Sequence, residues 1–213
     1  MPRPGGLSNK LGNYYEEEWT IKQILEIYSG KYDSLYLEHS IVDDEFEFIL
    51  KSENKTEYHQ VKRQKTNSSW TFKKLEKYIK KFYNIYKKNK NVYFKFISTT
   101  SATTLWDLKD RIKTSDSFKS FNEENHSKQI KDEIKKFEQL LNISTEEAYS
   151  FINVLNFYAY DEEILKENNK SHITYMFKEE PEIVHNFLLN YIHEKIGKEI
   201  KRDTILLDLK KFN

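Results

Sequence analysis

Cysteine is absent from the 213-residue chain. That excludes a disulfide framework and any thiolate-held zinc, and it suits a reducing cytoplasm. No apolar run approaches the ~20 residues of a membrane helix, and no hydrophobic export segment opens the chain. The expectation is a cytoplasmic protein with no membrane partner. An excess of one charge sign is also missing: 35 basic and 34 acidic residues leave a net charge of +1. Affinity for nucleic acid therefore has to come from local clusters. Glycine and proline are scarce, with five and three residues, so each one punctuates. A glycine-rich phosphate loop, a His-Glu-x-x-His pair and a Gly-x-Ser-x-Gly elbow are all lacking, which removes the usual marks of nucleotide hydrolases, zinc proteases and α/β-hydrolases.

What is present is strongly patterned. After a breaker loop at Arg3-Pro4-Gly5-Gly6, Tyr15, Trp19, Ile24, Ile27 and Tyr28 recur near helical spacing, predicting a helix over 14–29 that Gly30 stops. Strands are predicted at 34–40, 42–50 and 57–63, the last two as a hairpin across a polar turn. Phe72, Leu75, Ile79, Phe82 and Tyr86 form the apolar stripe of a helix over 70–89, followed by a strand over 91–99. A crossover helix there favours a fourth strand parallel to one of the three before it. Beyond residue 102 the pattern is helical. Ser144-Thr145-Glu146-Glu147 reads as a capping box, Pro181 as the first residue of a helix and Asp203 as a cap, while 154–160 is ambiguous between helix and strand. His185 and His193, eight apart on one helix, read as packing or surface residues rather than ligands. The expected division is an α/β core over 1–101 and a helical C-terminal part over 102–213.

The chemistry-bearing segment is Gln60-Val61-Lys62-Arg63-Gln64. Period-two geometry points Gln60 and Lys62 to one face and turns Val61 into the core. The preceding strand carries Asp44, Glu45 and Glu47. Carboxylates there, together with Gln60, would hold a hard divalent cation, Mg²⁺ or Mn²⁺, and Lys62 would stabilise developing negative charge. Strict alternation favours Glu47, whereas a bulge would favour Asp44, so both stand as candidates. The same charges would equally serve as the solvated face of an edge hairpin. Glu16, Glu17 and Glu18 at the start of the first helix suit its dipole, and one of them would reach a metal on the sheet. From Lys62 to Lys90 lies a basic stretch in which Arg63, Lys65, Ser69 and Lys73 are candidate phosphate contacts.

In this order, Gly5-Gly6, Gly12 to Glu16, Glu38, Asp44 to Phe48, Gln60 to Gln64 and Trp70-Thr71 resemble the PD-(D/E)xK, restriction-endonuclease-like nucleases in their Gln-x-Lys variant. Within that group they are similar to the N-terminal double-stranded-DNA nuclease domains of bacterial anti-phage effectors, of the CBASS and NACHT/NLR-like kinds. The resemblance implies a mixed sheet flanked by helices and a Mg²⁺-dependent endonuclease acting on double-stranded DNA. It assigns Glu16 as first-helix acid, Glu47 or Asp44 as strand acid, and Gln60 with Lys62 as the third motif. It further implies activation as a homo-oligomer and a sensor or regulatory domain in the same protein or a partner. The alternative is a catalytically degenerate module that binds DNA or another protein.

Overall fold

The computed structural model describes residues 14–41, 44–64, 68–124 and 126–213. The N-terminal breaker loop, Gly12 and Lys65 lie outside them, and so do the side chains of residues 38–47, including Glu38, Asp44 and Glu47. The α/β class expected from the sequence is what forms. Two compact units make up the chain, one from Met1–Arg63 with Tyr160–Asn213, the other from Gln64–Ala159.

The first unit begins with α1 (Tyr14–Tyr28), then β1 (Ser34–Ile41), β2 (Asp44–Ser52) and β3 (Lys55–Lys62). Gly30 ends α1 with a φ of +89°, in the left-handed region that favours glycine. Its amide and that of Lys31 close back on the Ile27 and Glu26 carbonyls. β1 and β2 pair antiparallel, Leu35 opposite Leu50, and β2 and β3 pair antiparallel, Phe48 opposite His59. The turn Ser52–Lys55 closes the hairpin the polar run predicts.

The second unit holds α2 (Phe72–Lys88), β4 (Val92–Ser98), α3 (Thr103–Thr114), α4 (Phe118–Glu123), α5 (Lys128–Leu141), α6 (Thr145–Val154) and β5 (Leu155–Ala159). The ambiguous run thus splits at one residue: α6 passes into β5 without a loop. β5 is the parallel partner of β4, with Phe96 opposite Phe157. The core is aromatic. Phe151 on α6 lies 5.2 Å from Tyr83, 5.3 Å from Tyr86 and 6.3 Å from Phe94, ring centre to ring centre, and Phe82 stacks on Phe94 at 4.9 Å. Lys109 on α3 is buried against the C-terminus of α6, where its ammonium donates to the Ile152 and Asn153 carbonyls.

The capping box forms by half. Ser144 Oγ accepts from the Glu147 amide at 3.2 Å. The Glu147 carboxylate instead accepts from Tyr83 Oη at 2.8 Å and pairs with Lys90, a long-range contact that a local pattern does not contain. Ser144→Ala should therefore cost about 1 kcal/mol in a urea titration, the loss of one cap acceptor.

From Tyr160 the chain is again part of the first unit, as α7 (Glu162–Met176), α8 (Pro181–Lys195), β6 (Glu199–Lys201), α9 (Arg202–Leu209) and a closing 3₁₀ turn. α7, α8 and α9 all pack on α1, and β6 extends the sheet beside β1, Ile200 opposite Leu35. Pro181 opens α8, as predicted. Asp203 does not cap α9: it lies in the first turn, and Lys201 holds the cap position without a side-chain bond. Among the described residues no helix is long and apolar enough to cross a membrane.

Candidate functional site

β3 carries the residues the sequence singles out. Val61 is fully buried, as alternation requires, but Gln60 is buried as well. Both faces of the strand's end are therefore covered, and the bland expectation of a solvated hairpin edge does not hold at Gln60. The Lys62 ammonium stands 3.9 Å from Glu16 Oε1 on α1. Glu16 and Lys62, 46 positions apart in sequence, are thus brought together. Asp44 lies at the start of β2, opposite Ile41. The side chains of Asp44 and Glu47 fall outside the described residues, and among those described no group of three His, Asp or Glu is placed to hold a metal. Glu16, the described member of the expected metal set that carries a carboxylate, faces a cation that belongs to the chain.

Arg63 is also committed internally: its Nε meets Glu162 Oε2 at 2.7 Å. Ser69 and Lys73 are exposed and belong to the second unit. There α2 presents seven lysines and one glutamate along its length. Phe72, Leu75, Ile79, Phe82 and Tyr86 are buried, while Lys73, Lys77 and Lys80, at spacings of four and three, share an exposed face. Among the described residues those three lysines form no ion pair. Lys74 turns back to Ser68 Oγ and the Ser69 carbonyl, and Thr71 Oγ1 caps the helix.

The Glu16–Glu18 run has three separate destinations. Successive helical residues point about 100° apart, so one run reaches Lys62, His193 and His185. Glu17 lies 3.3 Å from His193 Nε2, and burial pushes its carboxyl up despite that neighbour. Glu18 is fully buried, with Oε1 2.9 Å from His185 Nε2 and Oε2 accepting from Asn169 Nδ2 at 2.8 Å. Burial pushes the Glu18 carboxyl up, but the His185 and Asn169 hydrogen bonds outweigh it and hold the group below its ordinary value. The structure thus makes His185 a packing residue and gives it a carboxylate partner.

A second buried chain runs through β3. Trp19 Nε1 donates to His59 Nδ1 at 3.3 Å, and His59 Nε2 meets Glu57 Oε2 at 3.0 Å, which also accepts from Tyr32 Oη at 2.8 Å. Indole nitrogen is a donor only, so His59 carries its proton on Nε2 and donates it to Glu57. Alternation along β3 places Glu57, His59 and Val61 on one face. A carboxylate and an imidazole two apart on a predicted strand, flanked by Tyr58 and Val61, are the sequence signal for this chain of contacts.

No protein-family profile matches the sequence, and no curated protein does. Solved structures do. The chain is similar to the Acinetobacter baumannii Cap4 SAVED/CARF-domain containing receptor with the cyclic trinucleotide 2'3'3'-cAAA, at 16% identity and a TM-score of 0.57 over 99% of this chain and 47% of that one. The same receptor with 3'3'3'-cAAA gives 15% identity and a TM-score of 0.58, covering 99% and 49%. The Moraxella osloensis Cap4 SAVED/CARF-domain containing receptor gives 15% and 0.61, covering 95% and 48%. The chain spans about half the length of these structures, and at such identity the likeness is one of fold. These comparisons correct the sequence-based identification. The solved neighbours are described as SAVED/CARF-domain containing receptors, two of them solved with a cyclic trinucleotide, and not as PD-(D/E)xK nucleases, so the Mg²⁺-dependent endodeoxyribonuclease expected from the Gln60–Lys62 motif is withdrawn. The physical reason is that an ammonium, an amide and a nearby acid are common components of structural ion pairs, and Lys62 with Glu16 forms one.

Proposed function

We propose that the chain is a binding module, part of a larger receptor protein, that recognises the phosphodiester backbone of a nucleotide ligand through the lysine face of α2. The observation that carries this is the contrast between two sets of cations. Lys62 and Arg63 face Glu16 and Glu162, whereas Lys73, Lys77 and Lys80 share one exposed helix face and form no ion pair among the described residues. Lysines so arranged neutralise successive phosphates and release counterions. The likeness to receptors solved with cyclic trinucleotides supports both the ligand chemistry and the half-length partition. The role in antiviral defence that the sequence resemblance implied belongs to this same proposal. No catalytic step is assigned to the chain.

Two sources of phosphodiester, duplex DNA and a cyclic trinucleotide, share this chemistry and are separated by the test. Fluorescence anisotropy with a labelled duplex and with labelled 3'3'3'-cAAA, in chelator and across a salt series, should show binding to one of them that weakens with salt. The Lys73→Glu/Lys77→Glu/Lys80→Glu variant should lose at least tenfold in affinity and flatten the salt slope by roughly 0.9 per lost phosphate contact on duplex. Absence of binding to both ligands at low salt, or equal affinity in the triple variant, would overturn the proposal.

A further inference from the structure

A cavity of about 460 Å³ lies between α3 and β5 in the second unit. Its α3 wall is a broad face of Trp106, Asp107, Lys109, Asp110 and Lys113. Its β5 wall includes Asn156 and Tyr158. The three tryptophans of the chain differ sharply here. Trp19 is buried and bonded to His59, and Trp70 donates to Ser98 Oγ at 2.7 Å. Trp106 is 60% exposed. A large indole left in water beside a cavity that carries charged side chains is an unusual use of the residue, because its apolar face gains most when covered.

We infer that this cavity is a nucleotide site, with the base stacked on Trp106, its edge read by the Asn156 amide, and its phosphate met by Lys113. Stacking on an indole accepts any base, since every base has a π-face, while an amide offers both a donor and an acceptor to a base edge. Asp110 supplies a carboxylate acceptor for ribose hydroxyls, which gives the acidic wall a role that a phosphate-only site would lack. Lys113 is the exposed cation of that face, because the Lys109 ammonium is engaged by the α6 carbonyls. Burial and then the Lys113 charge lower the Lys109 pKa to about 8, so a bound phosphate would offset repulsion already present between the two. The inference does not depend on the α2 lysine face.

The probe is AMP, with adenosine and inorganic phosphate as partial ligands. AMP should quench tryptophan fluorescence saturably, adenosine should do so more weakly, and phosphate alone should leave the emission unchanged. Trp106→Phe should abolish the quenching yet keep most of the affinity measured calorimetrically, and Trp106→Ala should lower that affinity by about 5- to 150-fold, the range for losing one stacked base. Lys113→Ala should weaken AMP and leave adenosine unchanged. An exposed indole can be replaced without disturbing the fold, and a far-ultraviolet circular dichroism spectrum confirms it for each variant. The Lys73→Glu/Lys77→Glu/Lys80→Glu variant should bind AMP as the wild type does, so failure of the α2 proposal and failure of this one are distinguishable. Quenching that survives Trp106→Phe, or calorimetric affinity unchanged in Trp106→Ala, would overturn the site, as would the absence of any AMP binding.

Discussion

Replacing His185 by leucine should lower the unfolding free energy by about 3–5 kcal/mol, the cost of leaving a buried carboxylate without its charged or hydrogen-bonding partner. Glu18 is fully buried on α1, and its oxygens are held by His185 from α8 and Asn169 from α7. Removing the imidazole leaves burial as the dominant influence on the carboxyl. The pH dependence carries a sign that can be checked. In the wild type the folded-state value of Glu18 is depressed, so its contribution to stability is complete above the ordinary carboxylate value of about 4.3. That contribution is lost as pH falls through the folded value. In His185→Leu the folded value should rise, and the acid limb of the stability curve should move to higher pH. Urea titrations between pH 3 and 8 read both effects. A variant as stable as wild type at neutral pH, with an unmoved acid limb, would show that the Glu18–His185 contact contributes nothing. The double change Glu18→Gln/His185→Leu should recover part of the loss, since a neutral amide no longer needs a charged partner and still offers Asn169 an acceptor.

The second large effect is expected at Phe151. Its ring is fully buried and lies within 6.4 Å, centre to centre, of Tyr83, Tyr86, Phe94 and Phe137. Truncation opens a cavity among rigid aromatic planes that cannot collapse into it, so Phe151→Ala should cost about 3–5 kcal/mol. Phe151→Leu keeps most of the volume and should cost about 1–1.5 kcal/mol. The difference between the two separates lost volume from lost ring geometry. Equal losses would mean that edge-to-face packing, not cavity formation, governs this core.

Much of the local structure follows from residues close in sequence. The apolar stripe of α2 is set by positions three and four apart, and Phe72, Leu75, Ile79, Phe82 and Tyr86 are buried as that spacing predicts. Gly30 stops α1 and Pro181 starts α8 for reasons carried by one residue's backbone. The β2–β3 hairpin needs only two strands and a polar turn. By contrast, the sequence motif at Gln60–Lys62 overstated its chemistry, because the residue types of a metal-and-lysine nuclease corner are also those of an ion pair between β3 and α1.

By itself, then, the sequence determined an α/β chain, the apolar faces of its helices and the approximate bounds of the elements before residue 100, through interactions that act over one or two turns. Tertiary structure alone decided which of three consecutive glutamates meets which partner, since Glu18 and His185 stand 167 positions apart and their pairing depends on how α8 packs on α1. It alone gave β4 its parallel neighbour in β5, about 60 residues on, and returned the last 54 residues to the unit that the first strands began. It also separated the cations of the basic stretch. Periodicity cannot tell a lysine facing a carboxylate from one facing water, and only the packed chain shows Lys62 against Glu16 while Lys73, Lys77 and Lys80 share an exposed helix face.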